Sequence, residues 1–278
     1  VKLGAILRII LFSAIALVLI GVLVAGITGR TFLLRRLFGF QGEKAPVTEE
    51  TAFAPSDIDQ LTVNWAAGEV RILTAAQDEI TVTEDREDSS QPMVLRRSGS
   101  SLTVDFSEDG LAKNLSVKQK NLTVTVPNDW NCRKLELNAA SAKLSCSDLA
   151  LAKLEISTAS GKVSLQNCSV DSVKMSSASG NLDFSGSLQT LEFDGVSARA
   201  DIAVSNAPEK IKMDSVSGDL NLTLPEDCGF TLSKSTLSGS LKTDFEVTTQ
   251  GDKTVSGDGA CRIEMTGLSG GIHIYKAN

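Results

Sequence analysis

The stretch VKMSSASGNLDF, residues 173–184, decides the fold. On both sides of Ser179-Gly180 apolar side chains alternate with polar ones, so Val173, Met175, Leu182 and Phe184 share one face while Lys174, Asn181 and Asp183 share the other. Period two means strand, and a one-sided apolar set means that this face is core. The small residues between the two arms mark a bend. Gly supplies backbone conformations closed to other residues, and Ser can satisfy amides freed at a corner.

The same pattern recurs outward from this stretch. Leu135-Glu-Leu137 leads to Ala140-Ser141-Ala142-Lys-Leu144, and Leu154-Glu-Ile156 leads to Ala159-Ser160-Gly161-Lys-Val163-Ser-Leu165. Further copies centre on Ser197, on Ser217-Gly218, on Ser238-Gly239 and on Ser269-Gly270, with a degenerate one at Leu61-Thr-Val63 and Ala67-Gly68-Glu-Val70-Arg-Ile72. From Ser141 to Ser269 the corner serines are 19, 19, 18, 20, 21 and 31 residues apart, which identifies a repeat array. A unit this short cannot bury its apolar face alone, so consecutive units must stack at about 4.8 Å around a continuous interior. The fold class expected is all-β, a β-solenoid or β-helix-like stack of roughly 20-residue repeats preceded by one transmembrane α-helix.

That helix is read at Ile9 to Ile27, nineteen residues without a charge, enough at about 1.5 Å each to span about 30 Å of hydrocarbon. Residues 31–40, TFLLRRLFGF, read as an interfacial segment with Arg35 and Arg36 snorkelling to headgroups. The expected organisation is anchor and interfacial segment over 1–40, linker over 41–57 and repeat domain over 58–278. Within the last, 58–130 form the N-terminal cap and first strands, and 131–278 the regular rungs. The stretch DFEVTTQGDKTVSGDGACRIEM, residues 244–265, lengthens the final interval and is expected to protect strand edges at the far end. With Lys2 and Arg8 on one side of the helix and Arg30, Arg35 and Arg36 on the other, the positive-inside rule does not fix the orientation.

Composition narrows the function. The net charge is −7, and removing the five cations of residues 1–40, which hold no acid, leaves −12 for the remainder. No basic stripe interrupts that balance, so nucleic acid is excluded as a partner. Cys132, Cys146, Cys168, Cys228 and Cys261 have neither zinc spacing nor an even count, and they read as small core residues. His273, the only histidine, falls at an outward position, and the serines a triad would need are already explained as corner residues. Gly257-Asp-Gly259 lacks the following helix and Lys of a phosphate loop and reads as a turn. The sequons at Asn114, Asn121, Asn167 and Asn221 are what a chain rich in Ser and Thr produces by chance.

Stacked rungs can display ladders of one residue type on their outward columns. The position after the corner gives Lys143, Lys162, Asn181, Arg199, Asp219, Ser240 and Gly271, and two residues further come Ser145, Ser164, Asp183, Asp201, Asn221, Lys242 and His273. Neither is uniform. Asp183, Asp201 and Asp219 are the only carboxylates that could gather, and a solvated patch is the plainer reading, since calcium wants six or more oxygens. No catalytic, cofactor-binding or metal-binding residue is assigned, and no cofactor is expected.

The order of these elements resembles the DUF4097 family of candidate adhesins over roughly residues 55–278. The resemblance rests on the Ser-Gly-x-apolar repeats, Val126-Pro127 before the array, Leu224-Pro225-Glu-Asp-Cys-Gly229-Phe230 before a late rung, and the closing Gly257-Asp-Gly259 and Ser269-Gly270-Gly-Ile-His-Ile-Tyr-Lys. Ala142 and Ala198 depart from it by replacing the corner Gly. The resemblance implies a β-helix-like domain tethered by one helix, a single-pass cell-membrane protein with its C-terminal domain outside the cytoplasm, and no catalytic residues. The function expected is a non-enzymatic adhesin or interaction scaffold of the bacterial cell envelope, held to the membrane through residues 9–27, with an envelope protein or polysaccharide as ligand. The alternatives are a polysaccharide-active β-helix enzyme using the three aspartates, and an envelope-stress sensor or regulator.

Overall fold

The computed structural model describes residues 47–85, 92–108 and 119–277. Its strands begin with β1 (Val47–Thr48), β2 (Ala52–Phe53), β3 (Gln60–Ala75), β4 (Ile80–Asp85), β5 (Val94–Ser98) and β6 (Ser101–Asp105). They continue with β7 (Lys120–Pro127), β8 (Cys132–Ser147), β9 (Ala150–Val204), β10 (Lys210–Leu224) and β11 (Phe230–Ser238). The last are β12 (Leu241–Thr243), β13 (Thr248–Gln250), β14 (Lys253–Ser256), β15 (Cys261–Ser269) and β16 (Ile272–Lys276). A 3-10 turn at Pro55–Asp57 is the only helical element among the described residues.

The repeat stacks in parallel, like on like. Leu135 pairs with Leu154, Phe193 with Met213, and Met213 in turn with Met265, each side chain buried. Beyond the corner, Ala200 pairs with Leu220 and Leu220 with Ile272, again buried. Each such large side chain contributes about 1.5–3 kcal/mol by leaving water, and the two arms of every rung face each other across this core.

Corner geometry explains the small residues. Gly270 has φ +148°, and a Cβ there would lie 1.8 Å from the Gly218 carbonyl oxygen of the neighbouring rung. Where the corner carries Ala142, its neighbours are glycines, Gly68 by ladder pairing on one side and Gly161 by close approach on the other. Alanine is tolerated between two rungs that yield room.

Rungs do not stack in sequence order at either end. β15 and β16 lie between β10 and the earlier β11 and β12, paired in parallel on both sides, so Ser269 meets Ser217 on one edge and Ser238 on the other. The opposite end mirrors this arrangement. β3 lies between β8 and the later strands β6 and β7, again in parallel. The stretch 244–265 is thus not one insertion. Its β13–β14 hairpin caps β11 over Phe230–Ser233, while Cys261–Met265 belongs to the intercalated rung.

Antiparallel strands close the N-terminal end, β5 on β6 and β4 on β7, with β1 and β2 added from within the span read as linker. Under them lies Lys120, 5% exposed, its ammonium 2.6 Å from Glu84, 3.9 Å from the Phe106 ring centroid and 5.1 Å from that of Trp65. A buried cation needs such compensation. At the other end Lys234 occupies the core column next to Met265 and donates to the Gly239 carbonyl at 2.5 Å. An inward lysine on an edge strand discourages a further strand from adding.

The single-pass membrane placement read from the sequence needs correction. No helix among the described residues is long and apolar enough to cross a membrane, because their apolar residues are spent at period two on strands that bury one face. The apolar run at residues 9–27 and the interfacial segment at 31–40 lie outside the described residues.

On the outer face of the first arm, ion pairs run from rung to rung. Lys134 contacts Glu136 at 3.0 Å and Glu155 at 2.7 Å, and Lys153 contacts Glu155 at 2.6 Å. Hydrogen bonds from Lys134 and Lys153 hold the Glu155 carboxyl below its ordinary range.

These contacts set two expected outcomes. Gly270→Ala should lower unfolding free energy by about 3 kcal/mol in urea titration, whereas Ala142→Gly should cost about 1 kcal/mol or less. A depressed carboxylate stabilises the fold above its unfolded pKa and loses that contribution as pH falls through the folded value. Glu155→Gln should therefore be less stable than the parent at pH 7, by under about 1 kcal/mol at this exposed site, and the gap should close on acidification below about pH 4.

Candidate functional site

Outward side chains form columns, one residue per rung, and the columns differ in chemistry. Along the first arm they are charged. Lys212 lies 2.6 Å from Asp214, and the neighbouring Asp194 carboxyl is pushed up by burial and then by the Asp214 charge.

At the corner the outward residue is apolar throughout: Ala140, Ala159, Ala178, Val196, Val216 and Leu268, all half-buried. The corner serines run beside this ridge, and the Ser269 hydroxyl donates to that of Ser217 at 3.3 Å. The ridge ends on Leu237, 51% exposed. Sequence reasoning misses it, although each member stands one residue before a corner serine.

The second arm carries the three aspartates that the sequence brings forward. Asp183, Asp201 and Asp219 do not pool their carboxylates. Asp183 contacts Lys162 at 3.2 Å, Asp201 is held by Arg199 at 2.9 Å and by the Asn221 amide at 2.5 Å, and Asp219 accepts the Gly271 N–H at 2.7 Å. Burial pushes the Asp201 carboxyl up, but the hydrogen bonds from Arg199 and Asn221 outweigh it, and the net displacement is downward. Among the described residues no group of three or more His, Cys, Asp or Glu is placed to hold a metal ion.

Intercalation of β16 reorders the columns. Asp219 is followed by Gly271 and then Ser240, and Asn221 by His273 and then Lys242. His273 thus sits beside Asn221, which is bonded to Asp201, and among the described residues no serine is bonded to it as a triad would need. Its Nδ1 lies 3.2 Å from the hydroxyl of Tyr275, with the rings edge to face at 6.1 Å. Tyr275, the one tyrosine of the chain, is 41% exposed on the same outward face. Sequence reasoning passes over it, although its spacing of two from His273 fixes that face.

All five cysteines are free and buried. Burial pushes the Cys132 and Cys261 thiols up to about 12, far from the thiolate that nucleophilic chemistry requires. The geometry offers long, rigid, preorganised columns of hydrogen-bonding and apolar groups, which suit binding.

Comparison with solved structures finds similar proteins of low sequence identity. A candidate adhesin from Bacteroides fragilis NCTC 9343 is 10% identical, covering 81% of this chain and 98% of that protein at a TM-score of 0.48. Another from Parabacteroides distasonis ATCC 8503 is 12% identical, covering 83% and 97% at a TM-score of 0.42. A candidate cell-adhesion protein from Clostridium sporogenes ATCC 15579 is 13% identical, covering 84% and 100% at a TM-score of 0.35. No curated protein matches the sequence. Residues 58–194 match the family described as Toastrack DUF4097. This stretch of bent parallel rungs belongs to the Toastrack DUF4097 family.

Proposed function

We propose that this chain is a non-enzymatic, adhesin-like binding module whose ligand is an extended polymer, an envelope protein or polysaccharide. The observation that carries the reading is the corner ridge from Ala140 to Leu268, uncharged and half-exposed on rung after rung, with its serine row alongside. In a domain whose flanking columns are dense in ion pairs, such a strip can shed water at little cost. A repeating ligand laid along it meets the same contact at each step of about 4.8 Å, so weak contacts add on one rigid body. The side chains a hydrolase would use support the same reading, since each aspartate is already engaged and the thiols are buried.

The test is co-sedimentation of the full chain with insoluble cell-wall polysaccharide and with envelope protein fractions. Retention is expected with one of them, weakened about tenfold by Val216→Asp, which places a charge on the ridge and leaves the melting temperature unchanged. Release of new reducing ends without retention would replace this reading with that of an enzyme.

A further inference from the structure

We propose that the second-arm face around Tyr275 is a binding subsite for a neutral polysaccharide, a specification that rests on the binding-module reading above. Three observations converge on that patch. The first is charge. Lys162 is paired with Asp183 and Arg199 with Asp201 on that face, so these charges are already engaged with each other, in a chain that is otherwise acidic. An acidic polymer gains nothing there and a basic one gains little, so the partner the patch recognises is uncharged.

The second is the aromatic ring. Tyr275 stands on the outward face at 41% exposure, and its hydroxyl is tied to His273 Nδ1 at 3.2 Å while the two rings meet edge to face. A tyrosine fixed in this way presents a flat apolar surface at small entropic cost, as the C–H face of a pyranose requires. Among the described residues an exposed ring held by a neighbouring side chain is also unusual, since their phenylalanines and tryptophans are all buried.

The third is the polar frame beside the ring. On the adjoining rung Asn221 donates to Asp201, and Asp201 also holds the Arg199 guanidinium through both of its oxygens. Planar amide, carboxylate and guanidinium groups bonded side by side offer donors and acceptors at the spacing of vicinal hydroxyls, and their mutual bonds fix them before a ligand arrives. Parallel ladder pairing places this frame rigidly. Asn221 is in register with His273, and Thr223 with Tyr275. The patch lies farther along the second arm than the corner ridge, with Gly271 and Ile272 between Ser269-Gly270 and His273.

The experiment is affinity electrophoresis of the full chain in gels containing dextran, mixed-linkage β-glucan or mannan, with polygalacturonate as the acidic control. Retardation by at least one neutral polymer is expected. Tyr275→Ala should weaken it at least tenfold, and Tyr275→Phe, which keeps the ring, by no more than about threefold. Both variants should melt with the parent, since the side chain faces outward. Parent and Tyr275→Ala retarded equally, or retardation by polygalacturonate alone, would overturn the subsite while leaving the binding module standing. Failure of the parent to bind any of these polymers, together with failure to bind cell-wall material, would overturn both.

Discussion

A parallel strand that buries one face must be hydrogen-bonded along both edges, and every feature of this molecule answers to that demand. Interior rungs meet it with copies of themselves, Leu135 on Leu154 and Met213 on Met265. The ends cannot. One end is closed by antiparallel strands over an aromatic-lined lysine, and the other by a hairpin and by Lys234 on the core column. Edge closure is thus where regularity stops and where charged groups enter the interior.

The regular part is readable because its physics is local. Period two in VKMSSASGNLDF fixes strand and face, and the Ser-Gly corner fixes the bend, with no information needed from elsewhere in the chain. What local pattern cannot encode is which rung lies beside which. The Ser238 and Ser269 copies look equivalent in sequence, yet the later one is placed between the earlier and Ser217, a choice made by long-range edge pairing. For the same reason sequence order mixes the outward columns, setting His273 at the end of a series when its true neighbours are Asn221 and Lys242. Tyr275 and the corner ridge are visible as residues, but a single uncharged side chain carries no signal of its own. Only the stacking shows that its neighbours on other rungs make a surface.

A fold of this kind separates stability from recognition. Inward positions are confined to apolar side chains by packing, and corners to Gly, Ala and Ser by backbone approach, while outward positions carry no such burden. The first arm uses that freedom for ion pairs between rungs, the corner for an uncharged ridge, and the second arm for a polar and aromatic surface. Recognition can be altered column by column without touching the core.

Intercalation of residues 261–276 also orders events during synthesis. Strands β11 and β12 leave the ribosome before their only parallel neighbours exist, since those neighbours are β15 and β16. Until the later rung has emerged and entered, β10 exposes one open edge and β11 another, and the two must be kept apart by the width of one strand rather than pairing with each other. Their direct pairing would give a shorter, regular stack with the final rung left outside. The inward Lys234, facing Met213 in such a stack as it faces Met265 in the native one, does not forbid it. In the finished fold the hairpin β13–β14, which precedes the last rung in the chain, occupies the outer edge of β11 and leaves the inner edge to β15.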